Sequence, residues 1–286
     1  VKALIDADIL PYEFGNMEDL ETGGLLPLPI TLKLVDDRIQ QILTAVEATS
    51  SNFYLTDSKA NFRNQVATIL PYKGHRDTEK PPHWEAIRQH LIDNYDAEVQ
   101  YGIEADDAMG IAQTQAVAEI ETAELEVIQY GACHKQFPTD TIICSRDKDM
   151  DMIPGWHYSW ECGKQKERKW FVDDQMGIRS FYKQLLTGDS TDNILGLFGV
   201  GKAAACVKRI DTYSTEQEMF AECYARYSER FGYHGYNTML ENAQLLWILR
   251  NSDGDFYPQG EIEDRLEDLH CAYQENINSK ASGDAT

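Results

Sequence analysis

Acidic side chains cluster in three short blocks. In GIEADD (102–107), Glu104, Asp106 and Asp107 place three acids within four residues. Anions this crowded repel one another unless a cation or backbone dipoles offset the charge. Asp106 and Asp107 suit the first turn of a helix, where free amides and the helix dipole favour negative charge. Simple capping would explain an isolated Asp-Asp pair, but Glu104 just before it weakens that explanation. In SRDKD (145–149), Asp147 and Asp149 lie two apart and point the same way if the segment is extended. Asp151 extends the spacing towards a calcium loop. An EF-hand starting at Asp147, however, needs Gly where Met152 stands and Glu where Tyr158 stands. In GDSTD (188–192), Asp189 and Asp192 lie three apart, on one face of a helical turn. Asp6 in LIDAD and Asp57 in YLTD each close an apolar run, and Asp8 is a weaker candidate beside Asp6. An all-carboxylate set without histidine or thiolate suits a hard ion such as Mg²⁺.

A glycine-rich block follows the third acidic block. Gly196 to Lys202 nearly matches the phosphate-loop pattern GxxxxGK. Ala203 stands where that pattern needs Ser or Thr, and no clear strand precedes it, which argues against a nucleotide site. A helix-hairpin-helix fits better. In it Gly199 and Gly201 let the backbone approach a DNA phosphate, amides at a helix start bind it, and Lys202 and Lys208 add charge.

The elements that must position these groups alternate in type. KALID (2–6), SNFYLTD (51–57), AEVQYGIE (97–104) and TIICSRD (141–147) read as strands, each ending in an acid. Residues 30–49 show helical spacing of Ile30, Leu34, Ile39, Ile42 and Val46, and a helix is expected from Asp106. This β-α-β alternation implies an α/β fold with a mostly parallel sheet flanked by helices. Ligands of such sheets bind beyond the carboxyl ends of the strands, so Asp6, Asp57, Glu104 and Asp147 should share one edge. Residues 58–95 interrupt the alternation. They carry Lys59, Arg63, Lys73, Arg76, Lys80 and Arg88, and read as a loop or helical insertion over that edge. Residues 119–140 read as a variable connection, 156–172 as a hairpin and 173–187 as a helix; from about 276 a frayed tail is expected.

Composition restricts the partners. Acids outnumber bases by 48 to 26, a net charge of −22, so any phosphate contact must use local basic patches. The nine candidate acids account for only part of that excess. Cys133, Cys144, Cys162, Cys206, Cys223 and Cys271 include no C-x-x-C pair and read as free thiols in a reducing cytosol. No membrane span or signal peptide is expected, since the first apolar stretch is broken by Asp6 and Asp8. The chain starts at Val1 rather than Met, which leaves room for residues upstream.

Taken in order, LIDAD, YLTD, FRNQVATILPYKGHR, GIEADD, SRDKD and GDSTDNILGLFGVGK resemble the blocks of the flap endonuclease and 5′→3′ exonuclease superfamily, especially its free-standing phage enzymes, over about residues 2–250. Apart from NAQLLWILR (242–250), the region from about 211 matches nothing firmly, and 11–29 is unusual. The resemblance implies a PIN-like nuclease domain over 1–187 with a helical arch at about 58–95. It implies a helix-hairpin-helix unit over 188–250 and an extension over 251–286. It implies two Mg²⁺ ions, replaceable by Mn²⁺, about 3.5–4 Å apart, one activating water and the other steadying the leaving oxygen. Asp6, Asp57, Glu104, Asp106 and Asp107 would serve the first ion, Asp147 would lie between the two, and Asp149, Asp189 and Asp192 would serve the second. Lys73 and Arg76 would reach the scissile phosphate as catalytic groups; Lys59 and Arg63 would touch phosphates; Tyr72 would stack on a base or pack in the core. A K⁺ ion held by carbonyls at the hairpin also follows from the resemblance.

The implied substrate is DNA with a 5′ end or flap. RNA–DNA hybrid cleavage of the RNase H type, and a catalytically inactive DNA-binding module, stay open beside it. The expected setting is a monomer in a bacterial or phage-infected cytosol, with a replication polymerase, if any, on a separate chain.

Overall fold

The computed structural model describes residues 1–75, 79–124, 140–252 and 258–283. They form two compact units, Val1–Asn61 with Asp77–Asp174 and Ile248–Ser252, and Phe62–Arg76 with Gln175–Trp247 and Asp253–Thr286.

The first unit is an α/β layer structure. Its strands are β1 (Lys2–Asp6), β2 (Ser50–Asn61), β3 (Glu98–Gly102), β4 (Thr141–Cys144), β5 (Gly155–Ser159) and β6 (Arg168–Val172). They form one six-stranded sheet in the order β3-β2-β1-β4-β5-β6. All neighbours are parallel except β5 and β6, which form the expected hairpin. The helices are α1 (Ile9–Phe14), α2 (Leu28–Ala45), α4 (Trp84–Tyr95) and α5 (Ala105–Glu124). A parallel sheet covered by helices reads as continuous apolar strands, and every residue of β4 is buried. Ile5, Phe53 and Ile142 from the sheet share a core with Val35, Ile39, Ile42, Ile87 and Leu91 from α2 and α4. The chain lays strands outward from β1 to β3, then returns to place β4 on the other side of β1, so the reversal falls at the centre of the sheet.

Three expectations change here. The span 58–95 is not all insertion. β2 runs on to Asn61, and 84–95 is a core helix of the first unit, because Ile87, Leu91 and Trp84 give α4 a buried face. The expected tail meets a helix, α10 (Gly260–Gly283), that continues to Gly283. The expected connection 119–140 is helix to Glu124; residues 125–139 lie outside the described residues.

The second unit is helical. It holds α3 (Arg63–Val66), α6 (Asp174–Thr187) from Gln175 onward, α7 (Ala205–Ile210), α8 (Glu216–Phe231), α9 (Gly235–Leu246) and α10 (Gly260–Gly283). Phe181, Tyr182, Leu185, Phe220, Tyr227 and Trp247 are buried within it. Thr215 begins α8 with a reciprocal capping box to Glu218. Among the described residues no helix is long and apolar enough to cross a membrane.

Candidate functional site

In the first unit the parallel strands deliver acids to their carboxyl ends. Asp6 ends β1 and is only 5% exposed. Ser145, just past β4, donates its hydroxyl to Asp6 Oδ2 at 2.9 Å and accepts the Asp147 amide at 3.0 Å. Asp147 Oδ1 in turn accepts the Asp149 amide at 2.9 Å, which starts a 3₁₀ turn over Lys148–Met152. A continuous hydrogen-bonded line therefore joins Asp6, Ser145, Asp147 and Asp149. Burial, with Asp8 and Asp147 as nearby like charges, pushes the Asp6 carboxyl up to about 8. Burial also raises Asp8, despite its bonds to Thr56 and Arg88.

Asp57 does not end its strand. Thr56 pairs with Gln100 and Asn61 with Gly102, so residues 57–60 bulge opposite Tyr101. Asp57 Oδ1 accepts the Lys59 amide at 3.2 Å, which turns the chain within the bulge and leaves Lys59 exposed. Bulges re-aim side chains and are frequent beside active sites.

Glu104 and Asp106 flank Ala105, the first residue of α5. Asp107 is fully buried. One oxygen accepts the Glu104 amide at 3.0 Å and the other the Leu249 amide at 3.1 Å. It caps the helix start and ties down the 248–252 segment, the anchoring role that an acid in a first turn performs.

In the second unit, Asp189 and Asp192 lie in a tight loop after α6 rather than on a helical turn. Asp189 and Ile194 exchange two backbone hydrogen bonds of 2.8 Å. Gly188 (φ +68°) and Gly196 (φ +56°) cross so closely that a Cβ on either would lie 2.3 Å from backbone. Asp189 accepts the Thr191 amide at 2.6 Å and the Gln184 side chain at 3.2 Å. Asp192 receives the Tyr72 hydroxyl at 2.9 Å, and its backbone carbonyl the Lys73 amide at 2.9 Å. Lys73 Nζ lies 3.7 Å from the same carboxylate. Two segments distant in sequence, Tyr72–Lys73 and Asp192, thus meet within this unit. Beyond the loop, Gly199 (φ +84°) and Gly201 are exposed, and a Cβ at either would meet open space. Lys202 and Lys208 are also exposed.

Three basic or aromatic assignments change. Arg63 is 2% exposed, and its guanidinium donates to the carbonyls of Leu245 (3.0 Å) and Trp247 (2.7 Å), so it secures backbone instead of facing a phosphate. Tyr72 is 7% exposed and hydrogen-bonded, so packing wins over base stacking. Arg88, counted with the basic insertion, is buried against Asp8. Arg76 lies outside the described residues. Ser145 and Thr56 are marked in the sequence only by their closeness to Asp147 and Asp57, and Arg88, within α4, carries no such mark.

The donor chemistry fits a hard divalent cation. The groups are carboxylates, and the buried Asp6, raised by desolvation and nearby like charges, would be stabilised in its charged form by a cation. Among the described residues no three His, Cys, Asp or Glu side chains stand close enough to hold one ion as they are placed.

These features define an open α/β fold, mostly parallel, with an acidic carboxyl edge. Among solved structures, the chain is similar to a T5 protein co-crystallised with metal ions, at 17% identity and a TM-score of 0.55, covering 86% of this chain and 88% of that one. It is also similar to a mutant T5 5′-exonuclease, at 14% identity and a TM-score of 0.52, covering 86% of each. The fold is therefore shared with these two T5 proteins. No protein-family profile and no curated protein matches the chain.

Proposed function

We propose that the chain is a divalent-metal-dependent 5′-nuclease acting on DNA with a free 5′ end or flap. One observation carries this reading: Asp6 and Asp147, linked through Ser145, sit at the carboxyl edge of a sheet whose fold is shared with a T5 5′-exonuclease. Asp6, Asp57, Glu104, Asp106, Asp147 and Asp149 are the proposed first-unit ligands of Mg²⁺ or Mn²⁺. Asp107, with both oxygens on backbone amides, supports them by fixing the start of α5. Asp189 and Asp192 keep their proposed place as ligands of a second ion. When bound, such ions lower the pKa of water and offset charge on the reacting phosphate.

The chain's own groups supply the rest. Lys73 Nζ is held near Asp192 and, with Arg76, is proposed to offset phosphate charge. Lys59, in the bulge beside Asp57, is proposed as a phosphate contact. The open backbone at Gly199 and Gly201, with Lys202 and Lys208, is proposed to grip the duplex as a helix-hairpin-helix, and a K⁺ at its carbonyls is proposed with it.

The test is cleavage of 5′-end-labelled flap, blunt duplex and RNA–DNA hybrid in Mg²⁺, with and without excess chelator. Cleavage of flap or duplex that chelator abolishes supports the reading. Preferred cleavage of hybrid moves the substrate to RNA primers. DNA binding without cleavage in any divalent ion leaves a binding module and overturns the enzyme.

A further inference from the structure

A buried ion pair in the first unit is not used by this chemistry, yet it ties the exit of β1 to β2 and, through Thr56, to the start of α5. Arg88 on α4 is 8% exposed. Its Nη1 donates to Asp8 Oδ1 at 2.5 Å, its Nη2 to the Thr56 carbonyl at 2.9 Å, and its guanidinium lies 4.7 Å from the Trp84 ring centre. The other Asp8 oxygen accepts the Thr56 amide at 2.8 Å. The Thr56 hydroxyl accepts the Ala105 amide, the first of α5, at 2.9 Å.

The tied residues are sequence neighbours of the proposed ligands. Asp8 follows Asp6 by two residues, Thr56 directly precedes Asp57, and Ala105 separates Glu104 from Asp106. One guanidinium fork therefore fixes the exit of β1, the start of the β2 bulge and the first turn of α5. A buried ion pair is weak evidence for stability, since uncharged groups of similar shape often serve as well. Its distinctive contribution is a fixed geometry from planar, paired donors.

The geometry points to Arg88 as a positioning residue that acts through Asp8 and Thr56 to hold Asp6, Asp57, Glu104 and Asp106 for divalent-ion binding. This rests on the nuclease reading above. Residues that orient metal ligands typically matter by about 10–100-fold in affinity or activity.

The experiment compares the wild type with Arg88→Gln, Asp8→Asn, the double variant Asp8→Asn/Arg88→Gln, and Arg88→Lys. Three quantities are read: melting temperature in chelator, Mn²⁺ affinity by calorimetry, and single-turnover cleavage of a labelled flap across Mg²⁺ concentrations. Arg88→Gln should melt lower, because Asp8 loses its buried partner, and should bind Mn²⁺ at least about tenfold more weakly. The double variant should regain melting temperature but not Mn²⁺ affinity, with cleavage partly recovered at high Mg²⁺. Arg88→Lys keeps the charge and loses the fork. It should melt close to the wild type and still bind Mn²⁺ more weakly, which keeps the test decisive if the uncharged variants fold poorly.

Mn²⁺ affinity and cleavage that return together with melting temperature in the double variant would make the pair a stability element and overturn the inference. So would an Arg88→Lys protein that binds Mn²⁺ like the wild type. A wild type that neither binds Mn²⁺ nor cleaves would overturn the nuclease reading, and this inference with it.

Discussion

In the first unit, Asp6 closes a buried strand, takes one hydroxyl bond from Ser145 and faces the like charges of Asp8 and Asp147. In the second, Asp192 sits in a loop stapled by two glycines, takes the Tyr72 hydroxyl and has Lys73 as a nearby countercharge. The same chemical group is therefore held at a cost in one unit and with local compensation in the other. Strand burial fixes Asp6 rigidly but withholds solvation, so an external cation has most to offer there. A hydrogen-bonded loop fixes Asp192 while letting its own lysine offset the charge.

The largest effect should separate the two settings by sign. Asp6→Asn and Asp192→Asn should each lower single-turnover flap cleavage by about 10³-fold, the scale of losing a group that organises charge at the reacting phosphate. Their stabilities in chelator should diverge. Asp6→Asn removes a buried, repelled carboxyl and should gain about 2 kcal/mol. Asp192→Asn loses a partly exposed ion pair and should change by about 0.5 kcal/mol in the opposite direction. Equal stability changes in urea titrations would break the comparison.

Much of the first unit was legible because parallel strands buried on both faces must be apolar runs, and acids at their ends stand out against them. KALID and TIIC show this directly, and so does the hairpin around Trp156 and Phe171. The bulge at Asp57 was not legible, since register depends on β3 and leaves no mark in β2's own sequence. Buried arginines were misread for a related reason. Arg63 and Arg88 look like surface charges until the carbonyls of Leu245, Trp247 and Thr56 fold around them. Nothing in local spacing announces that 62–75 packs with the second unit, or that α8 and α9 follow residue 211. The Asp189–Asp192 spacing suggested a helix, but the positive φ of Gly188 and Gly196 makes a loop.

A pH effect of about 3 kcal/mol sharpens the comparison on the first unit's side. Burial lowers the His157 imidazole to about 4, and its Nε2 pairs with the Ile153 carbonyl at 2.8 Å. The folded value lies below the unfolded one of 6.5, so the unfolded chain takes the proton first. Stability is therefore complete above pH 6.5 and drains as pH falls towards 4. Trp170, stacked 5.4 Å away, gives a fluorescence signal for denaturant titrations. His157→Gln should flatten this component of the acid slope; an unchanged slope would remove His157 as its source.

The loop of the second unit should be more sensitive where its backbone crosses than where it opens to solvent. Gly188→Ala drives a Cβ to 2.3 Å from the Ile194 carbonyl and demands φ +68° of an alanine. Gly199→Ala meets only the backbone strain of φ +84°. The first should cost about 2 kcal/mol more than the second in thermal or urea unfolding. Equal costs would mean the loop yields around Gly188.

The smallest effect asks whether local hydrogen bonding in the second unit is felt by the sheet. Thr215 Oγ1 accepts the Glu218 amide at 3.3 Å, while Glu218 Oε2 accepts the amides of Thr215 at 3.0 Å and Ser214 at 2.9 Å. Thr215→Ala removes one half of that exchange and should cost about 1 kcal/mol. Amide hydrogen exchange locates the loss. If the units open separately, α8 amides should exchange about five times faster while β1 and β4 amides keep their rates. If the strand amides accelerate by the same factor, the two units unfold as one, and the contrast between a buried acid and a looped acid becomes a contrast of local environment within one cooperative structure.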